Sequence, residues 1–257
     1  MVSQHIIIDF TLAKSYTEAV AICIAVSNNY AKIMKYHGII LMVIGILELI
    51  LGISFLTKKR IGEAVRWYTL LIFSVSLWVL TNAVAALNDS YVIQHFFIEM
   101  TYISGGFIAI TFLLFTYNFP SVKKIISPIK TFLLFLPAII NIFIILLTHT
   151  YVKGIEIING SIREDFDFMI YIFSAYFLIF WSWGMWNIID SYRKADGYHR
   201  WLLKYLLVGI AISATLGITA DIILPLINVT FPGRNFIGAE FSIVWLGFTS
   251  YILYKKA

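Results

Sequence analysis

Seven continuous apolar runs divide the 257-residue chain, and each run is about as long as the hydrocarbon core of a bilayer is thick. A helix needs about 20 such residues to cross roughly 30 Å of hydrocarbon, and it satisfies its own backbone hydrogen bonds inside lipid. The runs are continuous rather than alternating, which favours helices over a membrane barrel. We therefore predict an all-α membrane protein, a seven-transmembrane helix bundle with spans at 37–57, 67–87, 96–118, 131–149, 168–188, 201–227 and 236–254.

The composition excludes a water-soluble domain as the setting for these runs. Hydrophobic residues make up 60% of the chain and charged residues only 13%, whereas soluble domains have about 45–50% apolar and about 25% charged residues. The single cysteine, Cys23, excludes an intrachain disulfide and a cysteine-based metal cluster. The length therefore accommodates one membrane bundle and little else.

The basic residues between the runs predict which side of the membrane each loop faces. Lys and Arg in short loops are retained on the cytoplasmic side. One set of loops with the C-terminal tail holds thirteen of them: Lys58, Lys59, Arg60, Arg66, Lys123, Lys124, Lys130, Arg193, Lys194, Arg200, Lys204, Lys255 and Lys256. The opposite loops hold three: Lys153, Arg163 and Arg234. We therefore predict an outside N-terminus, a cytoplasmic C-terminus and a multi-pass protein of the cell (inner or plasma) membrane.

Two segments outside the spans need separate interpretations. Residues 1–36 contain EAVAICIAVSNNYA (Glu18 to Ala31), an apolar stretch that is short and interrupted by polar residues. Such a stretch is typical of an interfacial or outer helix, although an eighth span remains an alternative and would place the N-terminus inside. The seven-helix domain is then 37–257. The longest outer loop, 149–167, is expected to be a solvated connection.

The sequence carries no recognisable catalytic or cofactor-binding motif. A retinal protein needs a lysine in the seventh span, and 236–254 has none. The five histidines are scattered singly at span edges or outside spans, and no Walker or HExxH motif is present. The basic clusters are topology signals without interleaved aromatics, so nucleic acid is not an expected partner. We predict no enzyme activity, no metal and no cofactor for these residues.

Acidic side chains inside the runs are the strongest functional candidates. An ionisable group in a span costs several kcal/mol, so each one suggests a function or a specific partner. Glu48 lies near the middle of the first span, Glu99 and Glu240 about one turn inside the third and seventh, and Asp221 about two turns below the outer end of the sixth. Glu48, being deepest, is interpreted as a structural or switching residue or as a partner for a Ser or Thr on the next helix.

Depth allows several of these groups to share one outward-facing pocket. With the predicted orientation, Glu99, Asp221, Glu240 and Asn82 all fall in the outer third of the membrane. A pocket between helices, lined with the aromatic residues Tyr102, Trp78 and Trp245, would suit a small molecule or cation. The alternative is that these groups lie at a hydrated interface or bond to neighbouring helices.

Glycine, proline and tryptophan positions predict further features of the bundle. Gly217 and Pro225 in the sixth span permit close packing or a kink that we assign to switching. The GGF of residues 105–107 indicates close helix packing. Trp181, Trp183 and Trp186 are interpreted as an aromatic belt at the cytoplasmic interface, although their spacing does not place all three on one helix face.

Several stretches resemble the N-terminal seven-helix sensory region of bacterial membrane histidine kinases. The resemblance covers roughly 37–257, with loosely specific motifs that include SLW in the second helix, FP closing the third, and the GxxIS and LP of the sixth. The stretches are RWYTLLIFSVSLWVLTNAV (Arg66 to Val84), IEMTYISGGFIAITFLLFTYNFP (Ile98 to Pro120), HRWLLKYLLVGIAISATLGITADIILPLINV (His199 to Val229) and SYILYKKA (Ser250 to Ala257).

The resemblance implies a sensory input module in a two-component system. An outer or membrane stimulus would shift helix packing, and the seventh helix would pass the shift to a cytoplasmic signalling domain. The resemblance also implies a homodimer. Kinase motifs are absent up to Ala257, so the sequence is expected to be either the sensor portion of a longer protein or a relative that signals to separate partners.

A small transporter or channel is the alternative function. It would use Glu48 and Asp221 as intramembrane ligands for protons or cations. The sequence shows no inverted repeats with paired broken helices, which many transporters have.

Overall fold

The computed structural model describes residues 29, 31–57, 62–119, 127–148, 151–158, 161–224, 227 and 234–256. Within these residues, seven helices are long and apolar enough to cross a membrane, which confirms the predicted seven-helix bundle. They are α1 (Ala31–Leu56), α2 (Glu63–Leu87), α3 (Tyr91–Asn118), α4 (Pro128–Thr148), α5 (Met169–Lys194), α6 (Gly197–Ile218, continued by a π-helical turn at Thr219–Ile223) and α7 (Arg234–Lys256).

Five of the helices form a closed ring. Helix α2 packs against α3, α3 against α5, α5 against α6, α6 against α7, and α7 returns to α2. Helix α3 is the most deeply buried, with 78% of its most apolar segment inside the protein, whereas the corresponding figure for α4 is 17%. Helix α4 therefore lies outside the ring against α3 and presents most of its apolar surface to lipid.

Helix α1 packs on the outside of the ring against α2, at three glycines spaced seven residues apart. A Cβ atom at Gly45 would lie 2.6 Å from Leu80 Cγ, and one at Gly38 would lie 2.9 Å from Leu87 Cγ. Gly52 faces α2 in the same way. Without a strong hydrophobic driving force in lipid, helices associate through such close approaches. The glycine spacing therefore determines which face of α1 meets the ring.

Hydrogen bonds between helices supplement this packing. The Ser76 hydroxyl of α2 donates to the Gly45 carbonyl of α1 over 2.9 Å, and the Tyr176 hydroxyl of α5 donates to the Gly106 carbonyl of α3 over 2.8 Å. Polar bonds of this kind contribute on average about 0.6 kcal/mol each in membrane bundles. They therefore secure the register of neighbouring helices more than they add to total stability.

A β-hairpin closes one end of the bundle, which we call the hairpin end. Strands β1 (Val152–Ile158) and β2 (Ser161–Phe166) pair antiparallel in the loop that was expected to be only a solvated connection. Alternating apolar and polar residues explain why the loop forms strands, because Ile155 and Ile162 are buried whereas Glu156 is exposed. The His95 Nε2 atom of α3 lies 2.8 Å from the Val152 carbonyl oxygen, which attaches the hairpin to the bundle.

Among the described residues, the difference from the predicted spans is clearest at α1, which already includes Ala31 rather than starting at 37. Lys35 in this added segment and His37 at the predicted start both find partners on other parts of the chain. Lys35 Nζ lies 2.9 Å from Asp89 Oδ2, and His37 Nδ1 lies 2.6 Å from Glu240 Oε1. Residues 1–28 of the predicted interfacial segment lie outside the described residues, and so does Pro225. The orientation of the termini stays a prediction.

Candidate functional site

The ring of helices lines a cavity of about 120 Å³ toward the hairpin end. Its described lining comes from α2, α3, α5, α6 and α7, together with one residue of β2. A cavity at the centre of a ring depends on the relative positions of all five helices. A molecule bound there would therefore contact every helix of the ring.

The structure places three of the predicted ligand-binding residues in the wall of this cavity. Asn82 of α2, Tyr102 of α3 and Asp221 of the π-helical turn all line it. The two tryptophans expected beside them, Trp78 and Trp245, line it as well. The structure thus brings these five residues, from four parts of the chain, to one cavity.

Glu99 and Glu240 are not among the residues that line the cavity. Glu99 is only 1% exposed, and its Oε2 atom lies 4.0 Å from the Nδ1 atom of His95, one turn earlier on α3. Glu240 faces α1 instead, where its Oε1 atom lies 2.6 Å from His37 Nδ1. The ring of His37 stacks on Phe236 with centroids 5.0 Å apart. Depth alone cannot tell which side of a helix a residue faces. Glu99 lies beside His95 of its own helix, whereas Glu240 joins α7 to α1.

A π-helical turn places Asp221 in the cavity wall. The turn spans Thr219–Ile223 and interrupts the α-helical geometry of α6. Single π turns within α-helices are rare and occur frequently at functional sites. Because a π turn holds one more residue than an α turn, it changes the direction of the side chains that follow. The Asp221 carboxylate therefore points in a different direction from the one that a regular α-helix would give it.

The carboxylate of Asp221 fits because α7 has no side chain opposite it. A Cβ atom at Gly238 would lie 2.6 Å from Asp221 Oδ2 and 2.7 Å from the Cα atom of Gly217. The same Cβ would lie 3.2 Å from Cη2 of Trp78. Asp221, the α6–α7 crossing and the Trp78 ring thus converge at one point. The close packing predicted at Gly217 is this crossing, and its assignment to switching stays a proposal.

Glu48 lies next to the cavity wall, on the outside of the ring. Its side chain is fully buried, and its Oε1 atom accepts a 2.6 Å hydrogen bond from the hydroxyl of Ser242, which lines the cavity. The Oε2 atom is buried without a hydrogen-bond partner among the described residues. The serine that Glu48 bonds lies on α7, not on the next helix along the chain. Glu48 therefore joins α1 to the cavity wall.

Aromatic side chains form the opposite wall. Trp181 is 9% exposed and lines the cavity, so it is not part of the predicted interfacial belt, whereas Trp183 and Trp186 are exposed. The Trp181 ring stacks on Phe112 with centroids 4.2 Å apart, and Phe177 lies parallel to it at 5.9 Å. The spacing of two residues between Trp181 and Trp183 places them on different helix faces. This packing fixes the Trp181 ring before any ligand binds.

The hairpin contributes Glu164 to the cavity wall. Glu164 of β2 lines the cavity, and Phe166 packs edge-on against Tyr102 with centroids 6.1 Å apart. The Tyr151 hydroxyl, just before β1, donates to Asn141 Oδ1 of α4. Burial raises the pKa of Tyr151 to about 12, so this hydroxyl remains a donor throughout the physiological pH range.

Sequence reasoning missed Glu164, Trp181 and Gly238 as cavity residues. A glutamate in an outer loop carries no local signal that it turns inward, and Trp181 was grouped with its exposed neighbours. A signal for Gly238 was available, because it is a small residue within the seventh predicted span. Small residues within membrane spans favour a close approach of two helices. Gly217 was singled out from the sequence for close packing, but only the fold shows that its partner is Gly238.

The described residues contain no group of three or more His, Cys, Asp or Glu side chains arranged to hold a metal ion. The described cavity lining includes two carboxylates, Asp221 and Glu164, and hydroxyl and amide groups. Such groups recognise polar or charged parts of a small molecule, and the aromatic rings accept its apolar or cationic parts.

The fold and the cavity define a polytopic helical membrane protein that encloses a site of ligand size. Comparison with known families identifies it further: residues 40–256 match the model described as the N-terminal 7TM region of histidine kinase. The chain therefore belongs to that family, which confirms the resemblance seen in its sequence. This region is the sensory input part of histidine kinases and not their catalytic domain. A search of curated proteins finds no match.

Proposed function

We propose that this chain receives a small-molecule stimulus in the cavity and passes a conformational signal through α7 to a cytoplasmic histidine kinase output. The observation that supports this most is the position of α7. It contributes Gly238, Ser242 and Trp245 to the cavity wall and continues as one helix to Lys256. Residues four and three apart share one helix face. A molecule in the cavity would therefore contact the helix that leads away from it.

Hydrogen bonds along α7 provide a route for the signal. Beyond the cavity, the Tyr68 hydroxyl of α2 lies 2.5 Å from the Leu246 carbonyl oxygen and 3.0 Å from Ser250 Oγ. Beside the cavity, Ser242 donates to Glu48 of α1. These bonds hold α7 in one position relative to α1 and α2. A ligand that prefers a second position would shift the equilibrium between the two by its difference in affinity.

The output belongs on the cytoplasmic side under the predicted orientation, in cis or in trans. We further propose that the protein acts as a homodimer, as its family resemblance implies. Helix shifts of about 1–2 Å at such interfaces are sufficient to change the state of a signalling protein. The lipid bilayer is the other expected partner.

A cavity-filling substitution tests this proposal in a fusion of the chain to a histidine kinase output domain. Val75 lines the cavity and is 2% exposed, whereas Leu77 on the same helix is 48% exposed and points away from it. We expect V75F to occupy part of the cavity and to shift basal autophosphorylation by roughly threefold or more, since about 0.7 kcal/mol of bias is enough for that change. We expect L77F to leave autophosphorylation unchanged.

The control and the contrary result are both specific. Membrane insertion and thermal unfolding of V75F are measured first, so that loss of fold is separated from loss of signalling. A folded V75F with wild-type output would contradict the proposed role of the cavity. The transporter alternative predicts proton or cation flux through reconstituted vesicles that E48Q abolishes, whereas the sensor proposal predicts no flux.

A further inference from the structure

Basic side chains cluster where α5 ends and α6 begins, at the end of the bundle opposite the hairpin. Three of them are exposed and make no ion pair within the part of the chain that the structure describes: Arg193, Arg200 and Lys204. We call these three residues the basic corner. Two acidic residues lie between positions 189 and 205. Asp190 pairs with Lys194 over 2.8 Å, which leaves Asp196 against three cations. The surface is therefore net positive.

Aromatic rings hold the two arginines of the basic corner in place. The Cζ atom of Arg200 lies 5.3 Å from the ring centroid of Tyr192, and that of Arg193 lies 6.0 Å from the ring centroid of Trp186. Cation–π contacts of this kind position a guanidinium without using its N–H donors. Those donors form a planar fork that matches the oxygens of a phosphate in pairs. The basic corner thus presents phosphate-binding groups to a ligand from outside the chain.

A row of exposed aromatic side chains on α6 shows where this surface lies in the membrane. Tyr198 stacks on Trp201 with centroids 6.1 Å apart, and Trp201 packs on Tyr205 at 4.6 Å. All three rings are exposed, with Tyr198 at 55% and Trp201 at 52%. Exposed tryptophan and tyrosine prefer the headgroup level of a bilayer, where one part of the ring is in apolar surroundings and another is hydrated. The first two turns of α6 therefore lie in the headgroup region.

The lengths of the two helices lead to the same depth. Helix α5 has 26 residues, and α6 with its π-helical turn has 27. At about 1.5 Å per residue each is roughly 40 Å long, whereas the hydrocarbon core is about 30 Å thick and the headgroups extend this to about 40–45 Å. The ends of both helices therefore project into the headgroups, and the basic corner is at the end of α5 and the beginning of α6.

The surface of α6 next to the basic corner is apolar further into the membrane. Val208 and Ile212 follow Trp201 and Tyr205 at helical spacing, and both are exposed. This face can accept an acyl chain below a headgroup that the basic corner binds. A free phosphate ion would use the arginines alone and leave the apolar face without a ligand. A phospholipid fits both parts of the surface.

We propose that the basic corner binds the phosphate of an anionic phospholipid, whose acyl chains lie along the face of α6 that continues through Val208 and Ile212. A zwitterionic lipid carries its own ammonium beside the phosphate, which repels Arg193, Arg200 and Lys204. An anionic headgroup has no such charge, and each Lys or Arg near the membrane surface strengthens its attraction. The described lining of the cavity contains none of these residues, so this site is separate from the proposed signal-receiving cavity.

The test counts the lipids that stay bound to the full chain. Nanodiscs contain phosphatidylglycerol and phosphatidylcholine in equal parts, and native mass spectrometry identifies the lipids retained when the protein is released. We expect phosphatidylglycerol to be retained in about fivefold excess over phosphatidylcholine, and R193Q/R200Q to lower this excess to about twofold or less. Inorganic phosphate, matched in ionic strength with acetate, should leave the excess unchanged.

A control variant removes the same amount of charge from the same end of the bundle. Arg66 at the start of α2 pairs with Glu63 over 2.9 Å, and Lys130 is exposed at the start of α4. R66Q/K130Q should keep the wild-type excess of phosphatidylglycerol. Thermal unfolding shows that each variant is folded. If R193Q/R200Q does not fold, K204Q takes its place, with an expected reduction of about twofold or more.

Three results would overturn the inference. Equal retention of the two lipids by the wild type would show that the surface does not select anionic headgroups. An equal loss in R193Q/R200Q and R66Q/K130Q, or no loss in folded variants of the basic corner, would show that net charge acts without this site. Displacement of phosphatidylglycerol by inorganic phosphate would show that the acyl chains contribute nothing. None of these results bears on V75F, whose effect on autophosphorylation tests the proposed function separately.

Discussion

Single atoms decide how α6 and α7 meet. At the crossing, Gly217 and Gly238 bring two backbones together, and the carboxylate of Asp221 occupies the space where a side chain at position 238 would lie. The two glycines are not equivalent, because the space around them differs. A Cβ atom at Gly217 would lie 3.6 Å from the Cα atom of Gly238, which is an ordinary van der Waals distance.

The different space around the two glycines predicts that the same substitution to alanine destabilises the protein at position 238 but not at position 217. G238A would place its methyl group 2.6 Å from Asp221 Oδ2 and 2.7 Å from the Gly217 backbone, and relief of this clash requires α6 and α7 to separate. We expect a loss of stability of about 1–3 kcal/mol, typical of overpacking. G217A should be close to neutral. Thermal unfolding in nanodiscs measures both, and equal transition temperatures for G238A and wild type would contradict the described crossing.

Elements differ in how far their sequences predict them. The spans follow from the length of the apolar runs, because the bilayer imposes that length on any helix that crosses it. The hairpin was missed because its sequence, with Glu156, Glu164 and Asp165, has the polarity of an outer loop. Its strands form where Ile155 and Ile162 pack over the end of the bundle. This contact depends on the fold and has no counterpart in local sequence.

The hairpin element also provides a pH-dependent prediction. Burial raises the pKa of Tyr151 to about 12, above the usual value of about 10 for tyrosine. The stability that the protonated hydroxyl contributes is therefore fully present below pH ~10 and is lost as pH rises toward 12. We expect Y151F to remove about 1 kcal/mol at pH 8, and the difference from wild type to shrink as the pH rises above 10.

The matched control is Y171F, because Tyr171 is 61% exposed. Thermal unfolding of wild type, Y151F and Y171F between pH 8 and 11 separates the buried hydroxyl from general effects of alkali. A Y151F variant as stable as wild type at pH 8 would show that the bond to Asn141 does not hold the hairpin.

The whole molecule is a ring of five helices around a cavity, with α1 and α4 on the outside. Sequence depth assigns Asn82, Tyr102 and Asp221 to one level of the bundle, and the structure places all three in one cavity wall. Depth could not separate them from Glu99 and Glu240, because it specifies height and leaves the direction of each side chain undetermined. The packing of the helices in the ring determines which way each side chain points. For Asp221, the π-helical turn at Thr219–Ile223 changes that direction further.

The central claim is that the state of the cavity determines the position of α7. Leu70 on α2 and Tyr251 on α7 are 45% and 64% exposed, so spin labels at these two positions report the distance between the helices beyond the cavity. We predict that V75F shifts the mean distance by about 1–2 Å, the usual scale of helix displacement in signalling, whereas L77F leaves it unchanged. An unchanged distance in a folded V75F protein would contradict the coupling between the cavity and α7.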